Sequence, residues 1–177
     1  GARLVVLVEG VSDCVAFETL AARRGLAPAD NGVMIVSIGG ATTIGYYLRE
    51  LGPAGIGVEL AGMCDIGEEA YVRRSLDRAG FDGSHNSFVV CDVDLEDELI
   101  RALGPAAVED VIDRAGRLAS FRAFQKQPAQ RARDHVAQLR RFLGTHSGRK
   151  EQYARLLVDA LDLERVPRPL DALLERL

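Results

Sequence analysis

Leu4-Val5-Val6-Leu7-Val8-Glu9-Gly10-Val11-Ser12-Asp13 joins an uninterrupted apolar run to a glutamate, a glycine and, four residues after the glutamate, an aspartate. A short apolar run without alternation predicts a strand covered on both faces, the kind found in parallel sheets. Gly10 lets the chain turn sharply, and a helix is predicted from about Ser12 to Arg24. Val15, Ala16, Leu20 and Ala21 lie along one side of it and Gly25 stops it. A glutamate that emerges from a buried strand is expensive to desolvate, which marks Glu9 as functional rather than decorative.

The same grammar repeats outward from this stretch. Val33-Met34-Ile35-Val36-Ser37-Ile38 predicts a second buried strand ending at Gly39-Gly40, and Thr42 to Leu51 a helix closed by Gly52-Pro53. Ile56 to Met63 predicts a third strand ending at Cys64-Asp65, followed by a helix from Glu68 to Ala79. Ser87 to Cys91 is the fourth strand, and a helix begins at Asp94. Strands alternating with helices across short turns predict βαβ units: an α/β fold with a mainly parallel four-stranded sheet and helices on both faces.

After Gly104-Pro105 the pattern changes to helices only: Ala106 to Ala115, His135 to Leu143, Gly148 to Leu161 and a short one after Pro169. The stretch from Arg117 to Arg133 lacks clear periodicity and is expected to be an ordered loop or a poor helix. The division expected is an α/β core over residues 1–104 and a basic helical extension over 105–177, packed on that core.

The 177 residues suffice for a core without disulfides or a structural metal, and 47% hydrophobic with 27% charged residues excludes a disordered chain. No apolar run approaches the ~18 residues of a membrane span, and the first ten residues do not read as a signal peptide. A cytoplasmic protein with no membrane partner is expected. Cys14, Cys64 and Cys91 are odd in number and form no CxxC, which predicts reduced, buried thiols; the alternative is a cysteine nucleophile. His85, His135 and His146 have no metal-binding spacing and read as surface residues. No Walker A sequence is present, so an ATPase in this polypeptide is unsupported.

Charge is divided. Arg117 to Arg155 holds ten Lys/Arg against two Asp/Glu, whereas the rest of the chain holds twelve against twenty-four. An acidic half joined to a basic half suits a metal site beside a polyanion track; a solvated helical face is the plain alternative.

In an open parallel sheet, ligands bind at the carboxyl ends of the strands. Three predicted strands deliver acids there: Glu9 and Asp13 after the first, Asp65 with Glu68 and Glu69 after the third, and Asp92, Asp94, Glu96, Asp97 and Glu98 after the fourth. Crowded carboxylates repel unless a cation neutralises them, and hard oxygen donors suit one or two Mg²⁺ or Mn²⁺ ions. Asp13 has a plain alternative as a helix-start acid, as do Glu68 and Glu69; Asp94 has one as an N-cap. Among the acids after the fourth strand, Glu96 is the leading candidate. Arg149 and Lys150 near a helix start oppose the helix dipole, which becomes sensible if a phosphate docks there.

Val8-Glu9-Gly10-Val11-Ser12-Asp13 resembles the first Toprim motif, in which a glutamate-glycine pair ends the strand. Within that superfamily the chain is similar to the nuclease branch named for the overcoming-lysogenization-defect (OLD) proteins. Asp94-Leu95-Glu96 resembles the branch's Leu-Glu signature, and Gly148-Arg149-Lys150-Glu151 matches its late-helix lysine. Asp94 to Leu103 and Gln125-Lys126-Gln127-Pro128 are similar to small actinobacterial Toprim proteins without a fused ATPase.

The resemblance implies a Toprim/Rossmann-like core over Leu4 to Leu103 and divalent-metal-dependent hydrolysis of DNA, with RNA as the alternative substrate. It implies Glu9, Asp13, Asp65 and Glu96 as metal ligands, with Glu68 and Asp94 beside them, and Glu9 and Lys150 as catalytic. Arg149, Lys126, Arg122, Arg131, Arg140 and Arg141 are expected to hold the nucleic acid, and a separate ATPase is a candidate partner. One departure stands out: many Toprim domains carry Asp-x-Asp after the third strand, and here the sequence is Asp65-Ile66-Gly67. Two classes compete with a nuclease, a non-catalytic nucleic-acid or partner-binding module and a small-molecule phosphohydrolase led by Asp65.

Overall fold

The protein is described by a computed structural model over residues 1–81, 87–144 and 149–177. His85, His146, Ser147 and Gly148 lie outside the described residues. Four strands form one sheet in the order β2-β1-β3-β4, all parallel: β1 Leu4–Val8, β2 Val33–Ser37, β3 Glu59–Asp65 and β4 Phe88–Cys91. The chain leaves β1 in one direction to make β2 and lies on its other side in β3. The crevice between the carboxyl ends of β1 and β3 is therefore the topological switch point, where an open α/β sheet binds its ligands.

β1 is buried throughout, and its side chains serve two cores. Leu4, Val6 and Val8 join Phe17 and Leu20 of α1 (Val11–Arg23) in the larger apolar cluster. Val5 and Leu7 join Ile44 and Leu48 of α2 (Ile44–Leu51) and Val72 and Leu76 of α3 (Glu69–Arg78) in the smaller one. The two-residue period of a strand thus divides the run between two layers of helix. The α/β fold with helices on both faces, expected from the sequence, is the fold observed.

The remaining helices are α4 (Leu95–Leu103), α5 (Pro105–Arg114), α6 (Leu118–Gln125), α7 (Pro128–Arg131), α8 (His135–Gly144), α9 (Arg149–Ala160) and α10 (Arg168–Leu174). The larger cluster takes in α1 together with Ile112 of α5, Leu139 of α8, Leu157 of α9 and Leu170 of α10, so one apolar core spans both sides of Gly104.

Two expectations need correction. The segment 117–133, expected to be an ordered loop or a poor helix, forms two short helices: α6 buries Phe121 and Phe124 one turn apart, and α7 starts on Pro128 and is followed by a helix that buries Gln138 against the Gln130 carbonyl (2.9 Å). Its interleaved cations hide an apolar spacing of three residues. The third strand begins at Glu59 rather than Ile56, because a glycine turn through Gly55 and Gly57, the latter at φ 77°, occupies the preceding residues. At its other end the strand includes Cys64 and Asp65.

Candidate metal and phosphate site

Register places the first two acids. Leu7 of β1 pairs with Gly62 of β3, so Glu9, two residues on, and Asp65, three residues on, leave the sheet side by side. The Glu9 carbonyl is held by the backbone N–H groups of Gly39 (3.0 Å) and Gly40 (3.2 Å) after β2. Gly39 and Gly40 have φ of 71° and 113°, which lets that loop fold over the end of β1 without side chains in the way. Asp13 stands in the first turn of α1, where one of its oxygens accepts the Gly10 N–H (2.8 Å).

Glu9, Asp13 and Asp65 face a cavity of about 370 Å³ that is completed by Asp94, Glu96 and Lys150. Asp65 is where their fields meet. Burial first, then the carboxylates of Glu9, Asp94, Asp13 and Glu68, push its pKa up to about 7. Asp13 is raised to about 6, chiefly by burial and in addition by Glu96 and Glu9, against the pull of the Gly10 N–H and Lys150. Glu68 stands in the short 3₁₀ turn before α3 and is pushed up to about 7 by burial and by the Glu9 carboxyl beside it. Its Oε2 is buried with no hydrogen-bond partner among the described residues. Two carboxyls in contact attract only across a shared proton or a cation.

The acids after β4 separate into distinct duties. Asp94 is the N-cap of α4: Oδ1 accepts the Asp97 N–H (2.9 Å), while Oδ2 accepts Arg140 Nε from α8 (2.8 Å). Glu96 bonds Lys150 from the first turn of α9 at 2.8 Å. Asp92, Asp97 and Glu98 gather instead on Arg101, at 3.2, 2.8 and 2.9 Å. Glu69 pairs with Arg73. The excess of acids after β4 is thus divided between a helix cap, an arginine cluster and the cavity.

α9 carries Lys150 to this place because it lies alongside α1, with Ala154, Leu157 and Val158 facing Ala16, Phe17 and Leu20 in one core. At the far ends of the two helices Arg23 donates to the carbonyls of Val158 (2.6 Å) and Leu161 (2.9 Å), which pins the position of α9 along α1. Burial pulls the Lys150 pKa down, but Glu96, Asp13 and Asp94 outweigh it and hold the ammonium protonated above its ordinary range.

The basic residues read from the sequence are not one surface. Arg140 and Arg141 line a second cavity of about 570 Å³ together with Arg133, which the sequence reading does not single out, and with Asp94, Glu96 and Lys150. Arg122 is engaged by Glu109 and Gln125 and lies over the Phe121 ring. Arg131 donates to the Lys126 carbonyl (2.9 Å), and Arg131, Lys126 and Arg149 line neither cavity. His135 bonds Glu109 (3.0 Å) away from both. Burial raises the Cys14 and Cys64 thiols to about 11 and about 12, and raises Cys91 as well, so a ready thiolate nucleophile is disfavoured.

The donor set suits a hard divalent cation. Glu9, Asp13, Asp65 and Glu68 offer only carboxylate oxygens, two of the four are raised to about 7 by crowding and burial, and one has a buried oxygen lacking a donor. Among the described residues no three such side chains converge tightly enough to hold an ion as they stand. Asp94 and Glu96 are drawn toward Arg140 and Lys150.

Residues 2–66 match the family described as "Overcoming lysogenization defect protein-like, TOPRIM domain", a span that holds Glu9, Asp13 and Asp65 but neither Glu96 nor Lys150. The fold extends the likeness over the chain. The C-terminal region of the Burkholderia pseudomallei OLD protein superposes with a TM-score of 0.73 at 19% identity, covering 98% of this chain and 96% of that one. The C-terminal region of the Xanthomonas campestris pv. campestris OLD protein superposes with a TM-score of 0.69 at 21% identity, covering 98% and 93%. No curated protein matches by sequence. Among the described residues no helix is long and apolar enough to cross a membrane.

Proposed function

We infer, for a chain whose residues 2–66 match the OLD-like TOPRIM family, that it is a divalent-metal-dependent nuclease that hydrolyses DNA phosphodiesters. The observation that carries this reading is the convergence of Glu9, Asp13 and Asp65 on a cavity that Asp94, Glu96 and Lys150 also line. Glu9, Asp13 and Asp65 would hold Mg²⁺ or Mn²⁺, with Glu68 in the place of the acid absent at Gly67. Such an ion, when bound, polarises a phosphate oxygen and lowers the pKa of water.

The chain's own residues supply the rest. Lys150, kept protonated by the surrounding carboxylates, neutralises charge that develops on the phosphate oxygens. In the unliganded chain Glu96 holds the Lys150 ammonium at the cavity wall, and Arg23 fixes the helix that carries it. Attack in line with the leaving 3′ oxygen gives a 5′-phosphate and a 3′-hydroxyl.

The test is incubation of the purified protein with supercoiled plasmid and single-stranded DNA in Mg²⁺, Mn²⁺ or EDTA. Nicking that needs the metal and is lost in folded Glu9→Gln and Asp65→Asn protein supports the reading, and undiminished activity in either variant removes the site assignment. RNA in parallel lanes decides between the two nucleic acids. A binding module without cleavage is the second reading. It is favoured by the engagement of Asp94 and Glu96 in ion pairs and by the glycine at position 67. It expects salt-dependent DNA binding that survives EDTA and no cleavage with any metal. Addition of a separate OLD-type ATPase to a silent preparation tests the remaining partner proposal.

A further inference from the structure

The carboxylate cavity and the basic groove share a wall made of Asp94, Glu96 and Lys150. Arg140 completes this wall, because its guanidinium bonds Asp94 from the groove side. Arg140 and Lys150 of the groove are thus engaged by two of the cavity's carboxylates. We propose that the groove of Arg133, Arg140, Arg141 and Lys150 seats phosphates of the nucleic-acid strand, and that Arg140 and Lys150 pass from Asp94 and Glu96 to those phosphates as divalent metal takes their place on the carboxylates. The proposal rests on the nuclease reading for the identity of the strand, and its metal and phosphate ligands are separately measurable.

The two ligands exchange counter-ions with the protein. Asp94 and Glu96 are largely covered, at 19% and 13% side-chain exposure, whereas Arg140 and Lys150 are roughly half exposed at 43% and 49%. The cations can therefore swing toward an incoming anion more readily than the carboxylates can follow. A phosphate offers a guanidinium the same forked geometry as a carboxylate. Once the cation has moved, a covered carboxylate lacks a counter-charge beside Asp65, Asp13 and Glu9, and this raises the affinity for a divalent cation. Each ligand removes an obstacle to the other. By linkage the effect is reciprocal and of ordinary allosteric size, about tenfold in each affinity. The Asp94 cap bond to the Asp97 N–H uses the other carboxylate oxygen, so α4 keeps its N-terminus during the exchange.

The measurement is the affinity of the full chain for a fluorescein-labelled short oligothymidylate with and without Ca²⁺, and for Ca²⁺ with and without the unlabelled oligothymidylate. The expected result is a matching gain of about tenfold in both directions. Asp94→Asn retains the helix cap while loosening Arg140. It should tighten the oligonucleotide in the absence of Ca²⁺ and shrink the gain. Arg140→Gln and Arg133→Gln should each weaken the oligonucleotide, and only Arg140→Gln should reduce the gain. Circular dichroism confirms that each variant is folded. Independent binding of the two ligands to the wild-type chain overturns the exchange, as does failure of the oligonucleotide to bind. If the gain is present and no cleavage occurs with any metal, the exchange stands and the nuclease reading falls. If cleavage occurs without the gain, the converse holds.

Discussion

Lys150 Nζ lies 2.8 Å from Glu96 Oε1, joining the first turn of α9 to the first turn of α4. A helix N-terminus stabilises a carboxylate and disfavours an ammonium. Glu96 therefore sits where its helix favours it and holds Lys150 where its own helix does not. The pair also links the acidic strand ends to the basic helical part of the chain.

Lys150→Ala is expected to lower the rate of metal-dependent nicking by about 10²–10³-fold, the size of a lost transition-state charge partner. The pair is half exposed on the lysine side, so thermal stability should change little, by at most ~1 kcal/mol. A nicking assay beside a circular-dichroism melt checks both, and an unchanged rate would remove Lys150 from the chemistry.

Without metal, stability should fall as pH rises from about 5 to 8. Asp13, Asp65 and Glu68 have folded pKa values of about 6, 7 and 7, above their ordinary 3.8 and 4.5. In that interval the folded chain binds more protons than the unfolded one, so their contribution is present at low pH and is lost as pH climbs through the folded values. Glu109, lowered by Arg122, acts in the opposite sense but below its ordinary 4.5. Melting temperatures in EDTA should decline across the interval, less steeply in Asp65→Asn, and Mg²⁺ should restore stability at pH 8 more than at pH 5. A flat profile in the wild-type chain would contradict the crowding.

Glu68→Gln should melt a few degrees higher than wild type in EDTA at pH 8, because an amide N–H can donate to Glu9 where two carboxylates repel. The same substitution should weaken Mn²⁺ binding, measured by calorimetry. Unchanged Mn²⁺ affinity would show that Glu68 does not replace the acid missing at Gly67.

Gly62→Ala tests the sheet that carries Asp65. A methyl group at position 62 would run into the Phe88 ring and the Leu7 carbonyl oxygen. The expected loss is about 1–3 kcal/mol, as for other overpacked cores. Metal affinity should drop with it, since β3 must shift. A urea titration and Mn²⁺ calorimetry on the same sample check the two effects together.

Arg23→Ala removes two hydrogen bonds to the end of α9 and should destabilise the chain by about 1–3 kcal/mol. If Arg23 positions Lys150, nicking slows while Ca²⁺ affinity stays near the wild-type value. Loss of both in equal measure would reduce Arg23 to a general structural role.

The four strands, their mainly parallel arrangement and the acids at the ends of three of them were legible in the sequence, because a buried strand is an apolar run and a charge after such a run stands out; the strand order was not. Glu9 and Asp65 stand out for that local reason alone. The helices α6 and α7 did not, since cations interleaved among Leu118, Phe121 and Phe124 masked their period. The acids of 92–98 looked like a single cluster, and only the folded chain sends Asp92, Asp97 and Glu98 to Arg101 while Asp94 and Glu96 meet Arg140 and Lys150. Likewise, a basic segment announces its charge but not its direction: Arg122 is turned to Glu109 and Arg133 to the groove. Periodicity and desolvation act on neighbours along the chain, so the sequence by itself determined the α/β layout and the acidic sheet edge. Which cation meets which carboxylate depends on packing between distant helices, and that was decided only when α9 came to rest against α1.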